Sequence, residues 1–99
     1  MAAQIEVDET SGVVRGGGEI DLSSADQLRD AIDAALRSDS TRTIVIDLSD
    51  VTFIDSTGVK ELIRPTMDGH SVVLRRPSEP VQRVLKLSGL YSTVSIEAD

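Results

Sequence analysis

The chain has 99 residues and a formal net charge of −7, with 17 acidic side chains against 10 basic ones. A chain of this length forms one small domain, residues 1–99, because two separate cores would not fit. We expect no nucleic-acid partner, since the acidic surface repels phosphate and Phe53 and Tyr91 are the only aromatic residues. The absence of cysteine excludes disulfides, thiolate catalysis and cysteine-based zinc sites.

The N-terminal residues are polar and lack both a basic flank and a long apolar run. This pattern contains neither a signal peptide nor a membrane-spanning helix. The sequence therefore predicts a cytoplasmic protein without a membrane partner.

The first third of the chain begins with a predicted β-hairpin. Two β-branched runs, residues 5–7 and 13–14, flank a polar stretch, residues 8–12, that ends in glycine. The glycine run 16–18 predicts a β-bulge or a close backbone contact before residues 19–22.

A helix is predicted next, because Ser23 and Ser24 are good N-cap residues and Ser24 with Gln27 fits a capping box. Apolar residues then recur at helical spacing: Leu28, Ile32, Ala35 and Leu36. A polar cluster, residues 38–41, ends this helix. Thr43 to Ile46 forms an unbroken β-branched run, which is typical of a buried strand.

Residues 51–54 are interpreted as a short apolar link between that strand and a second helix. The second helix begins at Ser56 or Thr57. Pro65 is expected to end it near residues 63–64, because the proline ring clashes with the carbonyl group four residues earlier.

The last third predicts a turn at residues 68–70, a buried strand at 71–74 and a third helix from Ser78 to Gly89. Its inward side chains are expected to be Val81, Val84, Leu85 and Leu87. Residues 93–96 form a final edge strand. The resulting order, ββαβαβαβ, predicts an α/β domain with a mixed β-sheet and helices packed against it.

Enzymatic function is not indicated by any motif. The chain has no phosphate-binding loop, and the glycine run does not continue into a dinucleotide-binding fingerprint. Its single histidine, His70, falls in a predicted turn without cysteine partners. We therefore expect a binding protein with no catalytic residue, no metal ion and no cofactor.

The stretch Asp55-Ser56-Thr57-Gly58 stands where the second helix begins. Its polar side chains suit helix capping, for which a single one is sufficient. Gly58 lacks a side chain in the first helical turn, which would let another protein approach the neighbouring hydroxyl closely. From these residues alone, capping and an accessible hydroxyl remain alternatives.

The segment DLSDVTFIDSTG, residues 47–58, resembles the signature of STAS domains, and in particular that of bacterial anti-sigma factor antagonists. The segments GEIDLSSADQLRDAI, residues 18–32, and PSEPVQRVLKLSGLYSTVSI, residues 77–96, resemble the same family. The resemblance covers nearly the whole chain in the right order. It implies a single small STAS-like domain, with the helices packed against one side of the sheet.

The resemblance also implies a phosphorylation switch. Ser56 matches the serine that the partner anti-sigma factor, an ATP-dependent serine kinase, phosphorylates, and Thr57 is the secondary candidate. The unphosphorylated protein would sequester that kinase and so free a sigma factor for transcription, and a separate serine phosphatase would reset it. The alternative is a STAS subunit of a lipid-transport ATPase or a sensory scaffold that binds constitutively.

Several further residues are expected to contact the partner. Asp55 matches the family's aspartate and Asp21 its loop acid. The expected partner-binding set is Asp21, Ser23, Asp55, Thr57, Gly58, Lys60 and Arg64. Lys60 and Arg64 lie four residues apart and form a basic spot on one helical face, which either affects partner choice or is merely solvated.

Overall fold

The computed structural model describes residues 2–8, 10–38 and 43–97. Its elements are β1 (Gln4–Val7), β2 (Val14–Ile20), α1 (Ala25–Ser38), β3 (Thr43–Ile54), α2 (Ser56–Met67), β4 (Ser71–Arg75), α3 (Glu79–Ser88) and β5 (Ser95–Glu97), with a short 3-10 helix, Tyr91–Thr93, before β5. The predicted order ββαβαβαβ is confirmed. Glu9 in the predicted hairpin turn and residues 39–41 after the first helix lie outside the described residues.

The five strands form one mixed sheet in the order β1-β2-β3-β4-β5. β1 and β2 form the predicted antiparallel hairpin, whereas β2 through β5 are parallel neighbours. Each helix connects one parallel strand to the next in the same direction across the sheet. Right-handed connections of this kind place all the connecting helices on one face, so the predicted arrangement of helices against one side is confirmed.

The core lies between this face and the helices, and it is almost entirely aliphatic. Its largest fully buried side chains are Ile20, Leu28, Ile32, Ile46, Leu48, Ile54, Leu62, Leu74 and Leu85. The opposite face of the sheet carries charged side chains, with Arg15, Asp47 and Arg75 side by side across three strands. In the described part of the chain, no helix is long and apolar enough to cross a membrane.

β3 runs without a break as far as Ile54, so the interpretation of residues 51–54 as a separate link is wrong. Its buried apolar positions are Ile44, Ile46, Leu48, Val51 and Ile54. After Leu48 the spacing between buried apolar residues changes from two to three. The strict alternation expected of a strand is therefore lost in the second half of β3. The register with β2 shifts beside the glycine run, between Arg15 and Gly17 and again after Gly18, as the predicted bulge requires.

α2 continues through Pro65 to Met67, so the prediction that this proline ends the helix is wrong. Pro65 lies in the last turn, where its missing N–H removes a single helical hydrogen bond. The proline is buried, and its carbonyl oxygen accepts hydrogen bonds from the N–H groups of Asp68 and His70, both at 3.1 Å. Burial of Pro65 in the core and these two hydrogen bonds stabilise the last turn of α2. The turn that follows the helix is therefore confined to residues 68–70.

Three smaller expectations are also corrected. Leu87 is exposed, because Val81 and Leu85 define the inward face of α3 and Leu87 lies about 200° around the helix from Leu85. The last strand begins at Ser95 because a 3-10 helix occupies residues 91–93. The predicted capping box at Ser24 does not form, since that hydroxyl accepts from the Asp21 N–H and donates to the Glu19 carbonyl oxygen instead.

Candidate functional site

The ends of β2 and β3 meet the start of α2 at one edge of the sheet. Ile20 and Ile54, the last residues of the two strands, are paired in register. The N–H of Asp55 donates to the carbonyl oxygen of Ile20 at 3.1 Å. This bond places the turn of residues 21–24 next to the first turn of α2. The fold therefore brings together the two segments that contain the predicted site residues Asp21 and Ser56.

Asp55 is the N-cap of α2. Its backbone is extended, with φ −107° and ψ −177°, and its Oδ1 accepts a hydrogen bond from the Gly58 N–H at 3.0 Å. Its carbonyl oxygen accepts from the Val59 N–H, also at 3.0 Å. Ile54 and Val59, at the positions of a hydrophobic staple, are both buried.

Ser56 is therefore not needed as a cap. It is the first residue of α2, its side chain is exposed, and no other described residue forms a hydrogen bond with its hydroxyl. Thr57 beside it is half-buried. Of the two interpretations left open by the sequence, both hold, but on different residues: Asp55 caps the helix and Ser56 presents an accessible hydroxyl.

Gly58 has a different role from the one expected. It is buried, and a Cβ placed on it would lie 2.8 Å from Ile20 Cγ2 and 2.8 Å from Ile54 Cγ1. The missing side chain makes room for the core beneath the helix and does not open the surface to a partner. The reason expected for Gly58, closer approach of a partner to the neighbouring hydroxyl, is therefore wrong, whereas a contact between Gly58 and a partner stays a prediction.

We expect Gly58→Ala to destabilise the domain. The added methyl group overlaps two fixed isoleucines, which costs about 1–3 kcal/mol, while the gain in helix propensity returns at most about 1 kcal/mol. Thermal or denaturant unfolding measures the difference. Gly16→Ala is the matched control, because its Cβ would make ordinary contacts of 3.5 Å with Ile20 and Leu48. Equal stability of the two variants would contradict the packing argument.

The turn after β2 is tightly hydrogen-bonded. Oδ1 of Asp21 accepts from the Ser23 N–H at 2.9 Å and from the Ser23 hydroxyl at 2.6 Å. These two bonds hold the pKa of the Asp21 carboxyl below its ordinary value, so it is ionised at neutral pH. Oγ of the buried Ser24 accepts from the Asp21 N–H at 3.0 Å and donates to the Glu19 carbonyl oxygen at 3.3 Å. Asp21 and Ser23 thus stand in fixed positions beside α2.

The predicted basic spot on α2 is divided between an exposed lysine and a paired arginine. Lys60 is exposed. Arg64 donates through Nε to Oε1 of Glu61 at 3.1 Å and through Nη2 to Oδ1 of Asp33 at 2.8 Å. A role for Lys60 and Arg64 in partner choice stays a prediction, but Arg64 also ties α2 to α1.

Glu61 is the centre of that connection, and no sequence pattern predicted its role. Its side chain is 8% exposed. Arg29 on α1 binds it through two bonds, Nε to Oε1 at 3.1 Å and Nη2 to Oε2 at 2.8 Å. Hydrogen bonds from Arg29, opposed by burial and supported by Arg64, hold the pKa of the Glu61 carboxyl below its ordinary value.

The described residues contain no group of three or more histidine, cysteine, aspartate or glutamate side chains placed to hold a metal ion. His70, which follows α2, lies at the opposite end of that helix from Ser56. The edge offers an exposed Ser56 hydroxyl beside the Asp55 carboxylate, at the start of α2.

Comparison with known proteins identifies the family to which this chain belongs. The family model described as "Mlab, STAS domain" matches residues 3–95. The chain therefore belongs to the STAS-domain family, as the resemblance at residues 47–58 implied.

Within this family the chain is similar to anti-sigma factor antagonists. It is 30% identical over 102 residues to the anti-sigma F factor antagonist of Paenibacillus polymyxa, covering 97% of this chain and 87% of the relative. The crystal structure of an anti-sigma factor antagonist from Mycobacterium paratuberculosis superimposes with a TM-score of 0.80 at 33% identity, covering 99% of this chain and 87% of that one.

The antagonist SpoIIAA provides a third comparison. Its unphosphorylated form gives a TM-score of 0.70 at 27% identity, covering 96% of this chain and 87% of that one. Its phosphorylated form, from Bacillus, gives 0.62 at 26% identity, covering 96% and 90%.

Proposed function

We propose that this protein is a phosphorylation-switched antagonist of an anti-sigma factor. In its unphosphorylated state it binds an anti-sigma factor that is a serine kinase, and this releases a sigma factor for transcription. Phosphorylation of Ser56 ends the binding, and a serine phosphatase restores it. The protein supplies no catalytic group of its own, and ATP and Mg²⁺ belong to the kinase.

The observation that carries the proposal is the exposed Ser56 hydroxyl on a helix that Asp55 already caps. A hydroxyl that serves neither the cap nor the core is free to enter another protein's active site. The similarity to SpoIIAA, a protein solved in a phosphorylated and an unphosphorylated form, supports the same conclusion.

The fold tolerates the modification. A phosphate on Ser56 would lie at the N-terminus of a twelve-residue helix, where free N–H groups and the helix dipole favour an anion by about 0.3–1 kcal/mol. The carboxylate of Asp55 opposes this gain. Ser56 is exposed in the free protein, where water reduces the repulsion to about 1 kcal/mol per pair of like charges, so the folded state survives.

Binding does not tolerate it. A kinase must hold the phosphates of its nucleotide against the acceptor hydroxyl, so a phosphorylated Ser56 would face those phosphates across the interface. At a separation of about 5 Å and an effective dielectric constant of about 20, each pair of like charges costs roughly 3 kcal/mol. A penalty of that size weakens binding more than about a hundredfold.

The variant Ser56→Asp tests this proposal. We expect it to bind the anti-sigma factor at least about tenfold more weakly than wild type, since aspartate carries less charge than phosphate. Isothermal titration calorimetry in the presence of nucleotide measures the affinity. Ser11→Asp, which adds the same charge in the exposed hairpin turn at the other end of β2, is the control. Unchanged affinity of Ser56→Asp would refute the switch and favour constitutive binding.

A further inference from the structure

Two large apolar side chains are exposed at the edge that presents Ser56. Leu22 is 78% exposed and Phe53 is 48% exposed. Phe53 is paired with Glu19 on the sheet face away from the helices, one residue before the buried Ile54. Leu22 lies in the turn after β2, two residues beyond Ile20, whose carbonyl oxygen holds the Asp55 N–H. Both therefore flank the start of α2.

Leu22 is exposed on an ordered turn. Asp21 and Ser23 on either side of it are joined by hydrogen bonds of 2.9 and 2.6 Å, and Ser24 closes the turn from the buried side. Because the backbone of this turn is already ordered, little backbone freedom is lost when Leu22 enters a partner's pocket, and this lowers the entropic cost of binding.

The surroundings of these two side chains are acidic. Glu19, Asp21 and Asp55 lie at this edge, and no basic residue occurs in residues 16–28 or 44–59. Glu19 lies directly beside Phe53 in the sheet, and Asp21 precedes Leu22. A partner that covers the edge must therefore offer apolar pockets within a positively charged rim.

We propose that Leu22 and Phe53 are the apolar anchors of the interface with the anti-sigma factor, and that they enter pockets with a basic rim. The inference rests on the proposed function, since it describes the partner surface of the same site. Protein interfaces concentrate binding energy in a few apolar anchors within a polar rim, which is the pattern seen here. The basic rim contacts the outlying carboxylates, while the nucleotide faces Ser56 at the centre.

The test replaces each anchor by serine, in Leu22→Ser and Phe53→Ser, and measures binding of the unphosphorylated full chain to the anti-sigma factor. We expect each variant to bind about ten- to a hundredfold more weakly. Met67→Ser and Leu87→Ser are matched controls, because these residues are 78% and 82% exposed and lie at the ends of α2 and α3 away from Ser56. The controls should stay within about twofold of wild type.

Leu22 makes no contribution to the core, so Leu22→Ser stays folded and keeps the test decisive even where Phe53→Ser loses stability. Wild-type affinity of Leu22→Ser overturns the inference, as does equal weakening by the Met67 and Leu87 controls. Loss of self-association without loss of anti-sigma factor binding also overturns it, because the anchors would then serve a second copy of this chain.

The proposed basic rim is tested separately by the salt dependence of binding. Affinity should fall as salt rises from about 0.05 to about 0.5 M, because ions screen exposed charges over a distance of about 10 Å or less. Affinity that is independent of salt contradicts the basic rim.

Ser56→Asp in the same assay separates the two proposals. If it weakens binding while Leu22→Ser does not, only the anchors are refuted; if it binds as wild type does, the proposed function itself fails.

Discussion

Ser56→Ala, incubated with its anti-sigma factor kinase and ATP, is expected to incorporate no phosphate, whereas the wild-type chain is labelled on one residue. The hydroxyl of Ser56 is the exposed one at the start of α2, and its removal leaves no acceptor in that position. The fold should be unaffected, since the cap is the Asp55 carboxylate and Ser56 has no hydrogen-bond partner among the other described residues. Mass spectrometry measures the phosphate, and thermal unfolding checks the fold.

Thr57→Ala is the matched control, with one hydroxyl removed from the neighbouring position. Thr57 is half-buried, so we expect this variant to be labelled at close to the wild-type rate. Labelling of Ser56→Ala at the wild-type rate, with the phosphate mapped to Thr57, would instead make Thr57 the acceptor. Ser56→Ala should also remain bound to the kinase in the presence of ATP, because the release step is lost.

Much of the fold is predictable from the sequence, since its strands and helices have clear patterns. The β-branched run from Thr43, the hairpin around Gly12 and the helical spacing that begins at Leu28 all specify elements that the structure contains. The errors occur where tertiary contacts override a local rule. The register shifts between β2 and β3 interrupt the alternation of buried and exposed residues, although β3 continues to Ile54. In the same way α2 continues through Pro65, which is buried in the core.

The site is predictable in part. The position of Ser56 at a helix start follows from Asp55 and the apolar residues before it, and a local pattern is sufficient to find it. Glycine is required at position 58 because a Cβ there would overlap Ile20, which is 38 residues away in the chain. No local sequence pattern predicts this contact. Leu22 is likewise an ordinary apolar residue in the sequence, and only its exposure in the fold singles it out.

Glu61 is the clearest case of a residue whose role exists only in three dimensions. It joins the helix that carries Ser56 to the helix that follows the Asp21 turn, through Arg29. The two halves of the proposed interface therefore keep a fixed relation to each other. Asp33 and Arg64 extend the same network, so a charge reversal at Arg64 would disturb the fold as well as the surface.

Glu61→Gln is expected to lower the free energy of unfolding at neutral pH by about 1–3 kcal/mol. The glutamine cannot bind Arg29 through two charge-assisted bonds, and it leaves a buried amide with mismatched partners. The cost is below the 3–5 kcal/mol typical of a broken buried pair, because Arg29 and Arg64 are 47% and 30% exposed and water can solvate them. In a domain of this size the melting temperature falls by about 5–15 °C.

The pH dependence of this effect has a definite sign. The folded-state pKa of Glu61 lies below its ordinary value of 4.5, so the carboxylate stabilises the fold fully above about pH 4.5 and progressively less as pH falls through the folded pKa. The difference in stability between wild type and Glu61→Gln should therefore be largest at neutral pH and shrink in acid. Glu79→Gln is the control, because Glu79 pairs with Arg83 on the exposed surface of α3, at 3.1 Å, and an exposed pair of this kind contributes at most about 0.5 kcal/mol. A Glu61→Gln variant as stable as Glu79→Gln at pH 7 would show that the network does not hold α1 against α2.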